Sequence, residues 1–333
     1  MHSLDKILGN TTLIFSLKSM IATGNLSHGY LVLGDFGVGK KTIVHAFVKA
    51  ILCENHTGCG ACKSCLTLAH NNHPDVIYVA RNLEKASVGV DEIRTEIIDT
   101  LYRKPYASEK KIYIIEEGDK VTPQGQNALL KSLEEPPEYA MFFIIGTDRN
   151  AFLQTVRSRM MELQVKPLPD ATLQSYLEIL PESKRTDVSL IANFARGSLG
   201  QALSLLQEGH VYEVREALVA DLVVLPSLPL GRALLLAKKW GDAYKDEDSF
   251  FYIIELWYHD LYVARTTKET THLAQKDKAE EIFKTAYFYS LKELEEKYEA
   301  VLLAQKRQFQ KANFRLNLEV MLLKLKEKEN HGQ

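Results

Sequence analysis

The sequence predicts a doubly wound α/β domain followed by an all-helical remainder. Three observations predict it. Short apolar runs alternate with helical periodicity through the first half, and a glycine-rich phosphate loop follows the first run. Beyond about residue 165 the strand-like runs give way to helical patterns.

In chain order, residues 30–33, 76–80, 112–115 and 141–145 are near-continuous apolar runs, the pattern of parallel strands buried on both faces. Residues 42–52 follow the loop directly, with Ile43, Phe47, Val48 and Ile51 on one helical face. A second helix is expected to begin near Gly89, placing Ile93, Ile97 and Leu101 at four-residue steps. A third is framed by Thr122 as N-cap, Pro123 in the first turn and Pro136-Pro137 at its end. Past Val165, Pro167, Pro169, Pro181, Gly197 and Gly200 punctuate short helical stretches at 171–180 and 186–195. From about His210 the segments are long and amphipathic. Ser290 and Glu293 read as a capping box, with Leu291, Leu294, Tyr298, Val301 and Leu302 along one face of the helix that follows. A last helix carries Leu316, Leu318, Met321, Leu322 and Leu325 on its apolar side. The expected domains are 1–165, 166–209 and 210–333.

The bulk numbers exclude some function classes. The net charge of −2 over 333 residues gives no electrostatic case for independent, tight nucleic-acid binding. No apolar run approaches a membrane span, and the first residues lack the charged and apolar regions of a secretion signal. A soluble, cytoplasmic protein with no membrane partner is the expectation.

All four cysteines fall in one stretch, Cys53, Cys59, Cys62 and Cys65. Four thiolates at this spacing can wrap tetrahedrally around Zn²⁺, with His56 as an alternative ligand. A closed Cys₄ site leaves no position for water, so the expected role is structural. The stretch lacks the basic and aromatic neighbours of a DNA-contacting zinc module.

The phosphate loop reads Gly34-Asp35-Phe36-Gly37-Val38-Gly39-Lys40-Lys41-Thr42. It follows the Walker A pattern through Lys40, and then Lys41 stands where a Ser or Thr hydroxyl should hold Mg²⁺. A lysine ammonium has three donors and no acceptor, so it cannot ligate a cation. Thr42 could supply that hydroxyl only if the loop shifted by one residue. Downstream, the run at 112–115 leads into Glu116-Glu117-Gly118-Asp119, with Glu116 where an aspartate usually holds the metal.

The stretch Asn127-Ala128-Leu129-Leu130-Lys131-Ser132-Leu133-Glu134-Glu135-Pro136-Pro137, together with Ser158-Arg159, resembles the clamp-loader branch of the AAA+ ATPases. The cysteine insert, His73-Pro74-Asp75 and residues 313–323 fit the same family. The resemblance covers nearly the whole chain and is most specific in the first half. It implies a RecA-like AAA+ domain, a small helical lid and a helical collar that packs into a hetero-pentamer with gamma/tau and delta subunits. That machine belongs to the DNA polymerase III holoenzyme, a DNA-directed DNA polymerase and so a nucleotidyltransferase. It places a sliding clamp on primer–template DNA, using ATP bound between neighbouring subunits.

Three departures bear on the chain's own part. Lys41 replaces the hydroxyl, Glu116 replaces the aspartate, and Gly200 in Gly197-Ser198-Leu199-Gly200 stands where the family's lid carries a sensor arginine. Phosphoryl transfer needs those groups together. The expectation is no hydrolysis in cis, and at most weak ATP or ADP binding through Gly34, Gly37, Gly39, Lys40, Lys41, Thr42 and Glu116. Arg159 is retained, and in the family this arginine projects into the neighbour's ATP site as an arginine finger; Arg157 is an adjacent candidate. The sequence thus reads as a stator-like subunit, and the alternative is an ATP-hydrolysing subunit of gamma/tau type.

Overall fold

The computed structural model describes residues 3–79, 87–181, 188–208, 210–245, 247, 249–309 and 312–327. Two compact units divide the chain. The first comprises residues 1–169 and 197–200, the second 170–196 and 201–333.

The first unit is built on five parallel strands in the order β2-β3-β4-β1-β5. These are β1 (Gly29–Leu33), β2 (Val76–Val79), β3 (Lys111–Ile115), β4 (Ala140–Gly146) and β5 (Met161–Gln164). Of the residues expected in these strands and in the helices that follow, Ala80 and residues 186–187 lie outside the described set. Four strands coincide with the apolar runs. The fifth was not expected, because β5 is an edge strand in which only Leu163 is buried.

Alternating side chains feed two apolar layers, as a sheet covered on both faces requires. Tyr30 and Val32 of β1 point into one, with Phe143 and Phe47, while Leu31 and Leu33 point into the other. The first layer is closed by α1 (Thr11–Thr23) and α2 (Lys40–Leu52). The second is closed by α4 (Val90–Ile93), a π-helical turn Arg94–Ile98, α5 (Asp99–Leu101), α6 (Pro123–Glu134) and α7 (Gln154–Arg157). Here Ile93, Ile97 and Leu101 are all buried, as their spacing predicts. Thr122 caps α6 as expected, its hydroxyl accepting from the Gly125 N–H at 3.1 Å. The short helix α3 (Lys63–Ala69) starts within the cysteine stretch, with Cys62 at its N-cap and Cys65 in its first turn. The His73-Pro74-Asp75 turn also has a purpose: the buried Asp75 carboxylate accepts from the Tyr106, Ala107 and Ser108 N–H groups and the Ser108 hydroxyl, at 2.5–2.9 Å, fixing the chain ahead of β3.

The second unit is helical. It contains α8 (Asp170–Glu178), α9 (Val188–Ala195), α10 (Leu199–Glu208, from residue 201), α11 (Val211–Val224), α12 (Leu230–Ala243), α13 (Ser249–Thr267), α14 (Ala279–Ala286), α15 (Leu291–Phe309) and α16 (Phe314–Lys326). Helix α13 runs through its middle, burying Phe250, Ile253, Ile254, Trp257 and Leu261. Fully buried Arg215 is bound by Gln275 at 2.9 Å and by both oxygens of Asp277 at 2.7 Å, the bidentate arrangement that makes a buried guanidinium tolerable. The capping box forms: the Ser290 N–H donates to Glu293 Oε2 at 2.8 Å, and the Glu293 N–H to Ser290 Oγ at 3.1 Å.

The apolar faces of the last two helices need correcting at three places. Leu291 and Leu302 of α15 and Leu316 of α16 are exposed. Leu316 lies two residues from buried Leu318, about 200° around the helix, and shares the outer side with Val320 and Leu323. Among the described residues, no helix is long and apolar enough to cross a membrane.

Candidate nucleotide, metal and arginine sites

The loop leaves the C-terminal end of β1, the place where open α/β sheets bind ligands. Gly37 (φ 74°) and Gly39 (φ 95°) take left-handed backbone, and a Cβ on Gly34 would stand 2.5 Å from the Val165 carbonyl. Helix α2 opens at Lys40, so the first-turn N–H groups that no helical carbonyl can satisfy face the loop. This backbone geometry could cradle a phosphate. Lys40 is buried, and its Nζ donates to the Gly34 and Asp35 carbonyls at 2.6 and 2.7 Å. Burial lowers its pKa, against the pull of Asp119 and Asp35.

The metal position does not fit a divalent cation. Lys41 Nζ donates to Glu116 Oε2 at 2.8 Å, and His45 Nε2 approaches Glu116 Oε1 at 3.3 Å without hydrogen-bond alignment. The carboxylate that would hold a cation is thus engaged by a cation of the chain itself. His45 and Lys41 together bring the Glu116 carboxyl down to about 2 against the opposing effect of burial. Thr42 is exposed on the first turn of α2. The sequence reading missed His45, although its place four residues after Lys41 on one helix was a legible signal. Asp119 has a different task, accepting from the Thr147 and Asp148 N–H groups and so tying the end of β4.

Gly200 is closely packed against the phosphate loop. Its N–H donates to the Gly37 carbonyl at 2.9 Å, and a Cβ would lie 3.0 Å from that oxygen and 3.2 Å from Gly37 Cα. The turn at 197–200 is seated on the phosphate loop itself. Gly197 (φ 79°) permits the approach, since a Cβ there would meet the Leu168 carbonyl at 2.3 Å.

The four cysteines converge. Their sulfurs all lie within 4.8 Å of one another, with Cys59–Cys65 and Cys62–Cys53 at 4.0 Å. Tetrahedral Zn–S bonds place sulfurs about 3.8 Å apart, so the cluster fits a metal ion. The Cys59 N–H donates to Cys53 Sγ, and the Ala61 and Cys62 N–H groups to Cys59 Sγ, at 3.4–3.5 Å. Such bonds disperse thiolate charge. His56 is not part of the group.

Arg159 lies at the opposite, N-terminal end of the strands. Its carbonyl is 3.8 Å from where a Cβ on Gly29 would stand, at the start of β1, whereas the loop leaves the far end of that strand. Its guanidinium is held by the Thr155 carbonyl at 2.8 Å, Ser158 Oγ at 3.3 Å and Glu134 Oε1 at 2.5 Å. Glu134 ends α6 and belongs to the Glu134-Glu135-Pro136-Pro137 stretch; its part in holding Arg159 was not read from the sequence. Arg157 is committed elsewhere, paired with Glu162 at 3.1 Å, a carboxylate that also binds Arg149.

Residues 9–169 match the family model described as DNA polymerase III, delta subunit. The match spans 161 of the 333 residues. The DNA polymerase III gamma/tau subunit of Mycoplasma pneumoniae is 32% identical over 200 residues, covering 58% of this chain and 29% of its own length. The gamma subunit of Buchnera aphidicola from Acyrthosiphon pisum is 30% identical over 216 residues, covering 62% and 60%. The tau subunit of Bacillus subtilis is 29% identical over 228 residues, covering 65% and 40%. The chain thus spans from 29% to 60% of the length of these relatives. Among solved structures, a gamma subunit-related protein of Thermotoga maritima covers 93% of the chain at 17% identity and a TM-score of 0.42, too remote to bear on function. The loop glycines, Lys40, Lys41, Glu116 and Arg159 all lie within the matched residues, and Gly200 lies beyond them.

Proposed function

We propose that the chain is a non-motor, delta-prime-like subunit of a DNA polymerase III clamp loader that lends Arg159 to the ATP site of a neighbouring subunit. The observation that carries this is the Lys41–Glu116 pair at 2.8 Å: the acid that a motor uses for its metal is neutralised from within. Arg159 supports the second half of the reading. Standing by Gly29, it is a strand's length from the chain's own loop, so any phosphate it meets belongs to another subunit. Its present partner, Glu134, is itself exposed, and an exposed pair of this kind is worth about 1 kcal/mol or less. An anionic phosphate can therefore draw the guanidinium away at little cost.

In this reading residues 166–209 act as the lid and 210–333 as the collar. Exposed Leu316, Val320 and Leu323 on α16, with Leu235 on α12 and Leu303 on α15, offer apolar surface for collar neighbours of gamma/tau and delta type. Cys53, Cys59, Cys62 and Cys65 hold a structural Zn²⁺. The sliding clamp and primer–template DNA are met through the assembled loader, in the cytoplasm. Arg159→Ala in a loader reconstituted from purified subunits is expected to leave assembly intact and lower its clamp- and DNA-stimulated ATPase by about tenfold or more. Undiminished ATPase in that loader rules the finger out.

A second reading, an ATP-hydrolysing gamma/tau-type subunit, is favoured by the gamma and tau names of the relatives at about 30% identity. It requires Thr42 to act for the missing hydroxyl. ATPase of the purified chain alone, with clamp and primed DNA added, separates the two.

A further inference from the structure

The phosphate cradle and the metal position disagree. The loop keeps the backbone for a polyphosphate, yet the place between α2 and the end of β3 is spanned by a lysine. We propose that Lys41 takes the place of a divalent cation, so that the loop receives a nucleoside di- or triphosphate without Mg²⁺.

In an ordinary site the divalent ion does two things: it joins the loop to the acid on the neighbouring strand, and it keeps that acid from repelling the phosphates. Lys41 already does the first, reaching from the first turn of α2 to the carboxylate that follows β3. It is equipped for the second. An ammonium has three donors and only one is spent on Glu116, so two remain for phosphate oxygens. The side chain is 57% exposed, which leaves that end of it accessible from solvent. A hard cation finds no hydroxyl at position 41, and to reach Glu116 it must displace a hydrogen-bonded ammonium. Magnesium and Lys41 are therefore competitors, and a metal-free polyphosphate, with its higher negative charge, is the better match for the lysine.

The test uses the full chain alone and a fluorescent ADP or ATP analogue, titrated in Mg²⁺ and in EDTA. Wild type is expected to bind with affinities within about threefold in the two buffers, or more tightly in EDTA. Lys41→Thr restores a hydroxyl and frees Glu116, and is expected to bind at least about tenfold more tightly in Mg²⁺ than in EDTA. Mn²⁺ should then give a bound-metal electron paramagnetic resonance signal with nucleotide in the variant and none in wild type. Lys41→Met keeps the length without the charge, and should lose about tenfold in both buffers. Thermal melts of both variants confirm folding. Three results each overturn the proposal: a tenfold dependence of wild type on Mg²⁺, no binding by wild type in either buffer at millimolar nucleotide, or unchanged behaviour of Lys41→Thr. No loader subunit takes part, so these outcomes are independent of whether Arg159 serves a neighbour.

Discussion

Replacing Glu116 by Gln removes the carboxylate on which Lys41 and His45 converge while keeping its shape. The structure sets the size of the effect. A carboxyl held at about 2 against an ordinary 4.5 favours the folded state by at most about 3 kcal/mol at neutral pH. Lys41 is 57% exposed, so solvent screening brings the realistic share down to about 1 kcal/mol. The sign follows from the direction. Because folding lowers the pKa, the stabilisation is fully present above about 4.5 and is lost as the pH falls through about 2. Both tryptophans, Trp240 and Trp257, belong to the second unit, so their fluorescence does not follow this site. Hydrogen exchange of β1 and β4 amides does, together with urea unfolding followed by circular dichroism. Glu116→Gln is expected to lower the opening free energy of the first unit by about 1 kcal/mol at pH 7, and by about half that or less at pH 3. Equal stabilities at pH 7, or a deficit that stays constant down to pH 3, would refute the pairing.

Other outcomes follow from the same contacts. Cys62→Ser should reduce bound zinc, measured by atomic emission on protein purified without chelator, from one per chain to well below it. A wild type without stoichiometric zinc would remove the metal from the account. Gly200→Arg should not revive hydrolysis; the 3.0 Å approach to the Gly37 carbonyl means the turn must lift, at a cost of about 1–3 kcal/mol read as a lowered melting temperature. An unchanged melting temperature there would show that the turn is not seated as described.

Much of the first unit could be read from the chain because its signals are local. Four buried strands are apolar runs, Thr122 and Pro123 mark a helix start, and Ser290 with Glu293 marks another. Strand β5 escaped because its alternating Met161-Glu162-Leu163-Gln164 buries a single side chain at a sheet edge. Helices α1 and α3 were likewise not anticipated. The site was legible as positions and not as partners. Lys41, Glu116 and Gly200 stood out as departures, but the sequence gives no means of seeing that the first two meet across 75 residues, or that the third rests on Gly37. Leu316 misled because apolar character alone does not say whether a side of a helix is covered.

The separation of Arg159 from the loop by the length of β1 gives the chain a polarity. Arg159 and the loop stand at opposite ends of the strands, so a contact presenting Arg159 to another chain's loop would be heterologous and head-to-tail. Copies or relatives joined this way form a directed row in which each site is completed by the next member. Under the proposed function, a member whose metal-binding acid is already paired with Lys41 would stand at one end of such a row, where it completes a neighbour's site without needing one completed in return.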